Sequence, residues 1–248
     1  MAYVSVRGTR FHTVDLGPTV PDSTVPGPVV MLHGLLTGSA ASWYFTAAPA
    51  IARHRPVRLL DWRGHGLSER TPSGYDSAAM TGDLADLTAE LPPFAVAAHS
   101  WGAVIAVRFA LAHPGRVTRL ALVDPPFIPP AKRVRRLFRD RAVPPQRPPM
   151  AELVATKTPG LRTLLEQTSV LADLAADPPV TEAELARLAG TPVLAVVGSR
   201  SPFRPAAEVV ARALPDAVCR VLGGGHDLHI SAKGRLTPLL VDFFLGGS

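Results

Sequence analysis

The sequence predicts an α/β fold: a mostly parallel central sheet with helices on both faces. Three observations predict it. Short apolar runs rich in Val, Leu and Ala recur along the 248 residues. These runs lack the polar alternation of half-exposed strands, as strands buried on both faces do. Helical patterns separate them, which calls for crossover connections and therefore parallel pairing. A chain of this length buries a full core in one domain.

The elements follow in order. The opening stretch "MAYVSVRGTRFHTVDLG" alternates polar and apolar residues. It predicts a strand pair and has no apolar core of a secretion signal. Buried strands are predicted at 27–34, 56–64, 94–100, 117–126, 191–199 and 216–225, each ending in turn residues. Helices are predicted at 41–53, 77–91, 101–113, 204–214 and 228–245; the third of these stops at "HPG". Residues 125–190 break the rhythm: prolines, a basic run and interrupted helical patterns occur there without a strand signal. The expected organisation is a core of 1–124 and 191–248, with 125–190 as a helical cap inserted over the end of the sheet.

Composition narrows the function. Apolar residues make up 47% and charged residues 19%, as in a folded globular chain. No apolar stretch reaches the ~18 residues needed to cross a bilayer. The single cysteine, Cys219 in "AVCRVL", cannot form an internal disulfide and reads as a buried core residue. That fits a reducing compartment, so a cytoplasmic location is expected. The Ala, Arg and Pro content suggests a GC-rich bacterial gene. The net charge of +6 is local in origin: seven of the 26 basic residues fall in Lys132–Arg147, against one acid, Asp140. Without a zinc-finger, RNP-like or GxxxxGK[ST] motif, no nucleic-acid partner is expected, and no membrane partner either. The basic segment is read first as a solvated helix face. A sharper expectation is that it meets an acidic carrier protein or a carboxylate-bearing substrate. Oligomeric state is not readable.

The stretch "AVAAHSWGAVIAV" carries the chemistry. Ser100 stands between a buried strand and a buried helix, with Ala98 two before and Gly102 two after. A strand that enters a helix through one residue forces a tight, strained turn, and its neighbours must be small because the two backbones nearly touch. The serine hydroxyl then projects at the carboxyl edge of the sheet, beside a helix N-terminus suited to a developing negative charge.

Four motifs give the chain a resemblance to the α/β-hydrolases over nearly its whole length. "MLHGLLTGSAASW" resembles the His-Gly oxyanion loop, "DWRGHGLS" the loop after the fourth strand, "AHSWGA" the nucleophile elbow, and "VLGGGHDLH" the loop of the catalytic histidine. The resemblance implies the α/β-hydrolase fold and a triad in the order Ser, Asp, His. Ser100 is the nucleophile. His226 is the base, carried by a glycine-rich loop, with His229 the near competitor. His33 resembles the family's loop-shaping histidine, for which a structural hydrogen bond is preferred; with Leu36 it is also placed at the substrate pocket. His65 is read as structural or solvent-facing, and His99 as pointing away from the nucleophile. The family's usual acid position, after strand seven, holds Ser201, which cannot carry the compensating charge. Asp124, ending the preceding strand, is the alternative position some members use, and it is preferred over Asp216 and Asp227. The oxyanion donors are the backbone N–H groups of Leu35 and Trp101. Leu35, Leu36 and Trp101 either wall an acyl pocket or pack in the core.

The expected function is a serine hydrolase that cleaves an ester, thioester or lactone of a small, largely apolar acyl substrate through an acyl-enzyme, with no metal or organic cofactor. Epoxide hydrolase and haloalkane dehalogenase readings are disfavoured, because both use an aspartate where this chain has Ser100. Three alternatives stay open. One is a cyclase, acyltransferase or lyase in a bacterial biosynthetic pathway. Another is a hydrolase of a carbon–carbon bond. The last is a binding protein that kept the pocket and lost turnover.

Overall fold

The computed structural model describes residues 1–17, 27–127 and 159–246. Eight strands form one sheet: β1 (Ala2–Val6), β2 (Thr9–Leu16), β3 (Val29–Leu32), β4 (Val57–Leu60), β5 (Phe94–His99), β6 (Val117–Val123), β7 (Val193–Gly198) and β8 (Val218–Leu222). Their order across the sheet is β1-β2-β4-β3-β5-β6-β7-β8. β1 and β2 form the antiparallel pair expected of the alternating N-terminal stretch, and β2 also runs antiparallel to β4. The remaining neighbours pair in parallel. The α/β reading and the mostly parallel sheet therefore hold.

Side-chain alternation divides the core between two faces. Phe94, Val96 and Ala98 of β5 point to one face, with Leu120 and Leu122 of β6. Ala95 and Ala97 point to the other, with Ala121 and Val123. On the first face lie α3 (Ser77–Leu87), α4 (Trp101–Ala112) and α8 (Ala206–Ala213). On the second lie α1 (Ala40–Tyr44), α2 (Ala48–Ile51), α9 (Leu228–Ser231) and α10 (Lys233–Leu245). Every residue of β5 is buried, which puts the strand before Ser100 at the centre of the sheet.

Three expectations are corrected. The helix predicted over 41–53 is two short helices, because Pro49 lacks the N–H that would continue α1 and instead opens α2. The helix predicted over 228–245 breaks at Ala232, which leaves helical dihedrals between α9 and α10 (φ −123°, ψ 23°). β8 is half-buried, not buried, and Cys219 with it. It is the edge of the sheet and has β7 alone as its strand neighbour.

Between β6 and β7 the described residues form α5 (Pro159–Gln167), α6 (Val170–Ala176) and α7 (Glu182–Ala186). They are tied to the loop and helix that follow β4. Asp173 accepts the Tyr75 N–H at 2.9 Å, and Asp177 accepts the Ser77 N–H at 2.8 Å. Leu164, Val170 and Leu174 are buried in the same cluster as Trp62 and Tyr75. The basic segment Lys132–Arg147 lies outside the described residues. Among the described residues, no helix is long and apolar enough to cross a membrane.

Candidate active site

β5 enters α4 through Ser100 alone. That residue takes φ 53°, ψ −122°, a conformation that costs a non-glycine residue about 1–3 kcal/mol. The surroundings hold it there. The Ser100 N–H donates to the Val123 carbonyl at 3.0 Å, and its own carbonyl accepts the Ala103 N–H at 2.9 Å. The requirement for small neighbours is visible atom by atom. A Cβ at Gly102 would stand 2.7 Å from the His33 carbonyl oxygen, and one at Gly34 would stand 2.8 Å from the Ser100 Cβ. Ala98 fits between its register partners Leu32 and Leu122. Gly102→Val is expected to destabilise the protein by roughly 1–3 kcal/mol, as an overpacked core does. Thermal unfolding checks this, since each kcal/mol lowers Tm by about 2–4 °C in a chain of this size.

The three residues named for the triad come together across the carboxyl edge of the sheet. The Ser100 Oγ is 2.8 Å from the His226 Nε2, and the His226 Nδ1 is 2.6 Å from the Asp124 Oδ2. An ionised carboxylate only accepts, so the Nδ1–H donates to Asp124 and Nε2 is left to accept the serine proton. Asp124 is fully buried and has φ 50°. Its backbone N–H donates to Val196 at 2.7 Å, which fixes it against β7. Its Oδ1 accepts the Gly198 N–H at 2.7 Å, and its Oδ2 accepts the Ser201 hydroxyl. A buried charge needs such partners. Ser201, at the family's usual acid position, thus supports the acid from the neighbouring strand. The Ser201 Oγ in turn accepts the Phe203 N–H at 3.0 Å.

The other candidates fall elsewhere. His229 is buried between the His99 and Trp43 rings and makes no hydrogen bond to Ser100. The Asp227 side chain is exposed, and Asp216 precedes β8 at the opposite edge of the sheet. His99 does not point away from the site. Its Nε2–H donates to the His226 carbonyl at 3.0 Å, and the two rings lie 4.7 Å apart. His99 therefore anchors the loop that brings His226 to Ser100.

Opposite Ser100, the loop after β3 is shaped by buried histidines. Leu36 has φ 73°, and its N–H donates to the His65 Nε2 at 2.9 Å. The His65 Nδ1–H donates to the Arg63 carbonyl at 2.7 Å. His65 is thus buried and structural, not solvent-facing. His33 is fully buried as well, so it does not line a pocket. Its Nε2 accepts the Trp62 N–H at 3.0 Å and its Nδ1–H donates to the Gly34 carbonyl at 2.7 Å, the structural role preferred from the sequence. Asp61 ties this region together by accepting from the His12 ring at 2.8 Å, the Ala40 N–H at 2.7 Å and the Leu67 N–H at 3.0 Å. Leu35 and Leu36 are half-buried and follow Gly34, the residue that packs against Ser100, whereas Trp101 is buried in the core cluster.

Burial lowers the His33 imidazole below its ordinary range. Burial, with the neighbouring His33, pushes His65 down to about 3. A folded-state value below the unfolded 6.5 means that the unfolded chain binds the extra proton first. The stability that neutral His65 contributes is thus complete above pH 6.5 and lost as pH falls towards 3. His65→Gln keeps an acceptor for Leu36 and does not titrate. Its unfolding free energy should fall less steeply between about pH 5.5 and 4.5, by up to about 1.4 kcal/mol per pH unit. Urea unfolding at several pH values checks the slope.

Comparison with known proteins follows this geometry. A model described as the alpha/beta hydrolase fold matches residues 27–146. The crystal structure of the enol-lactonase from Burkholderia xenovorans superposes with a TM-score of 0.76, covering 98% of this chain and 100% of that one at 22% identity. The chain belongs to the α/β-hydrolase superfamily. The matched segment of this α/β-hydrolase contains Ser100 and Asp124, and His226 lies beyond it. Among curated relatives, a soluble epoxide hydrolase of Corynebacterium sp. is 32% identical over 123 residues, 48% of this chain and 39% of that protein. An sn-1-specific diacylglycerol lipase of Danio rerio is 37% identical over 116 residues, 45% of this chain and 35% of that protein. The α/β-hydrolase thus aligns with well under half of the length of either relative.

Proposed function

We propose that the protein is a serine hydrolase that cleaves an ester, thioester or lactone of a small, largely apolar substrate. The observation that carries this reading is the continuous relay from Ser100 Oγ through His226 to the buried Asp124, with links of 2.8 and 2.6 Å. The His226 Nε2 takes the hydroxyl proton as Oγ attacks the substrate carbonyl carbon. Asp124 holds the ring in the accepting tautomer and compensates its positive charge. The tetrahedral oxyanion is held by the backbone N–H groups of Leu35 and Trp101, each worth ~3 kcal/mol in comparable sites. His226 returns the proton to the leaving alcohol or thiol, and the acyl group stays on Ser100. Water, deprotonated by the same imidazole, then releases the acid. A lactone follows the same route with its leaving alcohol still tethered.

The half-buried Leu35 and Leu36, which follow Gly34 beside Ser100, favour an apolar acyl group, and α5 to α7 are read as part of a cap. The named relatives include a lipase and an epoxide hydrolase. A serine at position 100 supports the acyl-transfer chemistry of the first rather than epoxide opening through an aspartyl ester.

A fluorophosphonate probe, followed by peptide mapping, tests the reading together with p-nitrophenyl esters of increasing chain length. Labelling at Ser100 and turnover of short acyl esters are expected. Labelling without hydrolysis of any ester, thioester or lactone would favour a non-hydrolytic transferase or cyclase, and absence of labelling would remove the serine mechanism. His65→Phe removes the acceptor that fixes Leu36 next to the oxyanion donor. It should lower kcat by about 10- to 100-fold with a smaller change in KM, as misaligned supporting groups do.

A further inference from the structure

We propose that His99, Asp227 and His229 form a binding site for a borderline transition-metal ion such as Zn2+, and that occupancy switches the active site off. One donor atom from each of the three lies within 4.8 Å of the other two. The His99 Nε2 is 3.9 Å from the Asp227 Oδ1. Two imidazoles and a carboxylate are a donor set suited to Zn2+ or Cu2+, whereas Mg2+ and Ca2+ prefer oxygen ligands. A second observation points to a ligand. His229 is 3% exposed, and its Nδ1 is buried with no hydrogen-bond partner. Buried ring nitrogens are nearly always satisfied, and a metal at this atom would supply the missing partner. Asp227 gives the route in, since its side chain is 60% exposed and free to swing.

Zinc holds its ligands at about 2.0–2.2 Å, so the three donors must close up on the ion. The exposed carboxylate can rotate to do so, and the two buried rings supply the fixed side of the site. The geometry also fixes the consequence. The His99 nitrogen nearest Asp227 is the one whose N–H holds the His226 carbonyl at 3.0 Å. Coordination there needs the tautomer with the ring proton moved to Nδ1, so that Nε2 gives its lone pair to the ion and no longer donates to the His226 carbonyl. Asp227 is the residue next to His226, so its closure on the ion pulls the same loop. The anchor that keeps His226 against Ser100 is exchanged for a metal bond.

This coupling rests on the proposed role of His226, while the existence of the site does not, and the two are read separately. In the first arm, Zn2+ is titrated calorimetrically into untagged, chelator-treated Ser100→Ala protein, which needs no activity. One ion per chain is expected, with Asp227→Asn and His229→Gln each weakening binding by at least about tenfold and Mg2+ giving no heat. Absence of binding, or binding that neither variant weakens, overturns the proposal. In the second arm, Zn2+ is added to the wild-type chain during ester hydrolysis. Inhibition reversed by EDTA is expected, and both variants should keep their turnover and resist the metal. Binding in the first arm with unchanged hydrolysis in the second overturns the switch. Loss of serine reactivity without metal would instead point to the hydrolase reading itself.

Discussion

Ser100→Ala is expected to lower kcat for ester hydrolysis by about 10^4- to 10^6-fold and to abolish fluorophosphonate labelling, with the fold retained. The loss is large because the relay has no second oxygen to donate. Among the described residues, the Ser100 Oγ is the hydroxyl bonded to the His226 Nε2. Alanine at φ 53° keeps the strain of the elbow without its purpose, so stability should change little while turnover disappears. Circular dichroism and thermal unfolding separate the two. A variant that is folded and still turns over within tenfold of wild type would show that the nucleophile lies elsewhere.

Asp124→Asn is the second large effect, about 10^4-fold in kcat. Asparagine is nearly the same shape, so the loss comes from proton placement. The Gly198 N–H and the Ser201 hydroxyl both need an acceptor and compete for the one amide oxygen. The amide NH2 is then turned towards the His226 Nδ1, which must accept. The ring proton moves to Nε2, where it blocks uptake of the serine proton. Ser201→Ala is the companion variant. It removes one of the donors to Asp124 but leaves Gly198 and His226 in place, so a loss near tenfold is expected. Equal losses in the two variants would mean that Ser201 does more than support the acid. Rate measurements over a pH series distinguish a changed tautomer from a changed fold.

The elbow was legible because its demands are local. One residue links a buried strand to a buried helix, and the neighbours at 98 and 102 have to be small. The strands were legible because burial on both faces writes a continuous apolar run. Asp124 was reached through its place in the Ser, Asp, His order, and the structure puts it beside His226. What sequence reasoning missed depends on partners distant in the chain. Ser201 meets Asp124 across 77 residues, and His65 meets Leu36 across 29. Nothing near position 201 reveals that its hydroxyl helps the acid that stands on the preceding strand. The glycines of "RGHG" mark a turn, yet only the fold shows that His65 reaches the loop after β3. His99 was misread because the pleat, which persists to the end of β5, turns it to the face on which the C-terminal loop and His229 pack, so facing away from α4 does not take it away from the site. The exposure of β8 has a mark in its own residues, the charged Arg220 at the centre of "VCRVL", which the apolar neighbours outweigh.

Asp124 is also the residue at which the chain leaves the sheet. It is followed at once by Pro125, Pro126 and the buried Phe127, the start of the segment that returns at β7. In a hydrolase whose acid follows strand seven, the exit from strand six can vary without touching the acid. Here the acid stands where the chain leaves the sheet, at a joint that two prolines restrict and the buried Phe127 pins to the core, so a change at 125–127 reaches the group that aims the imidazole. Loosening that joint, as Pro125→Gly would, should then cost rate through misalignment of the proton acceptor while the walls of the pocket keep their fit.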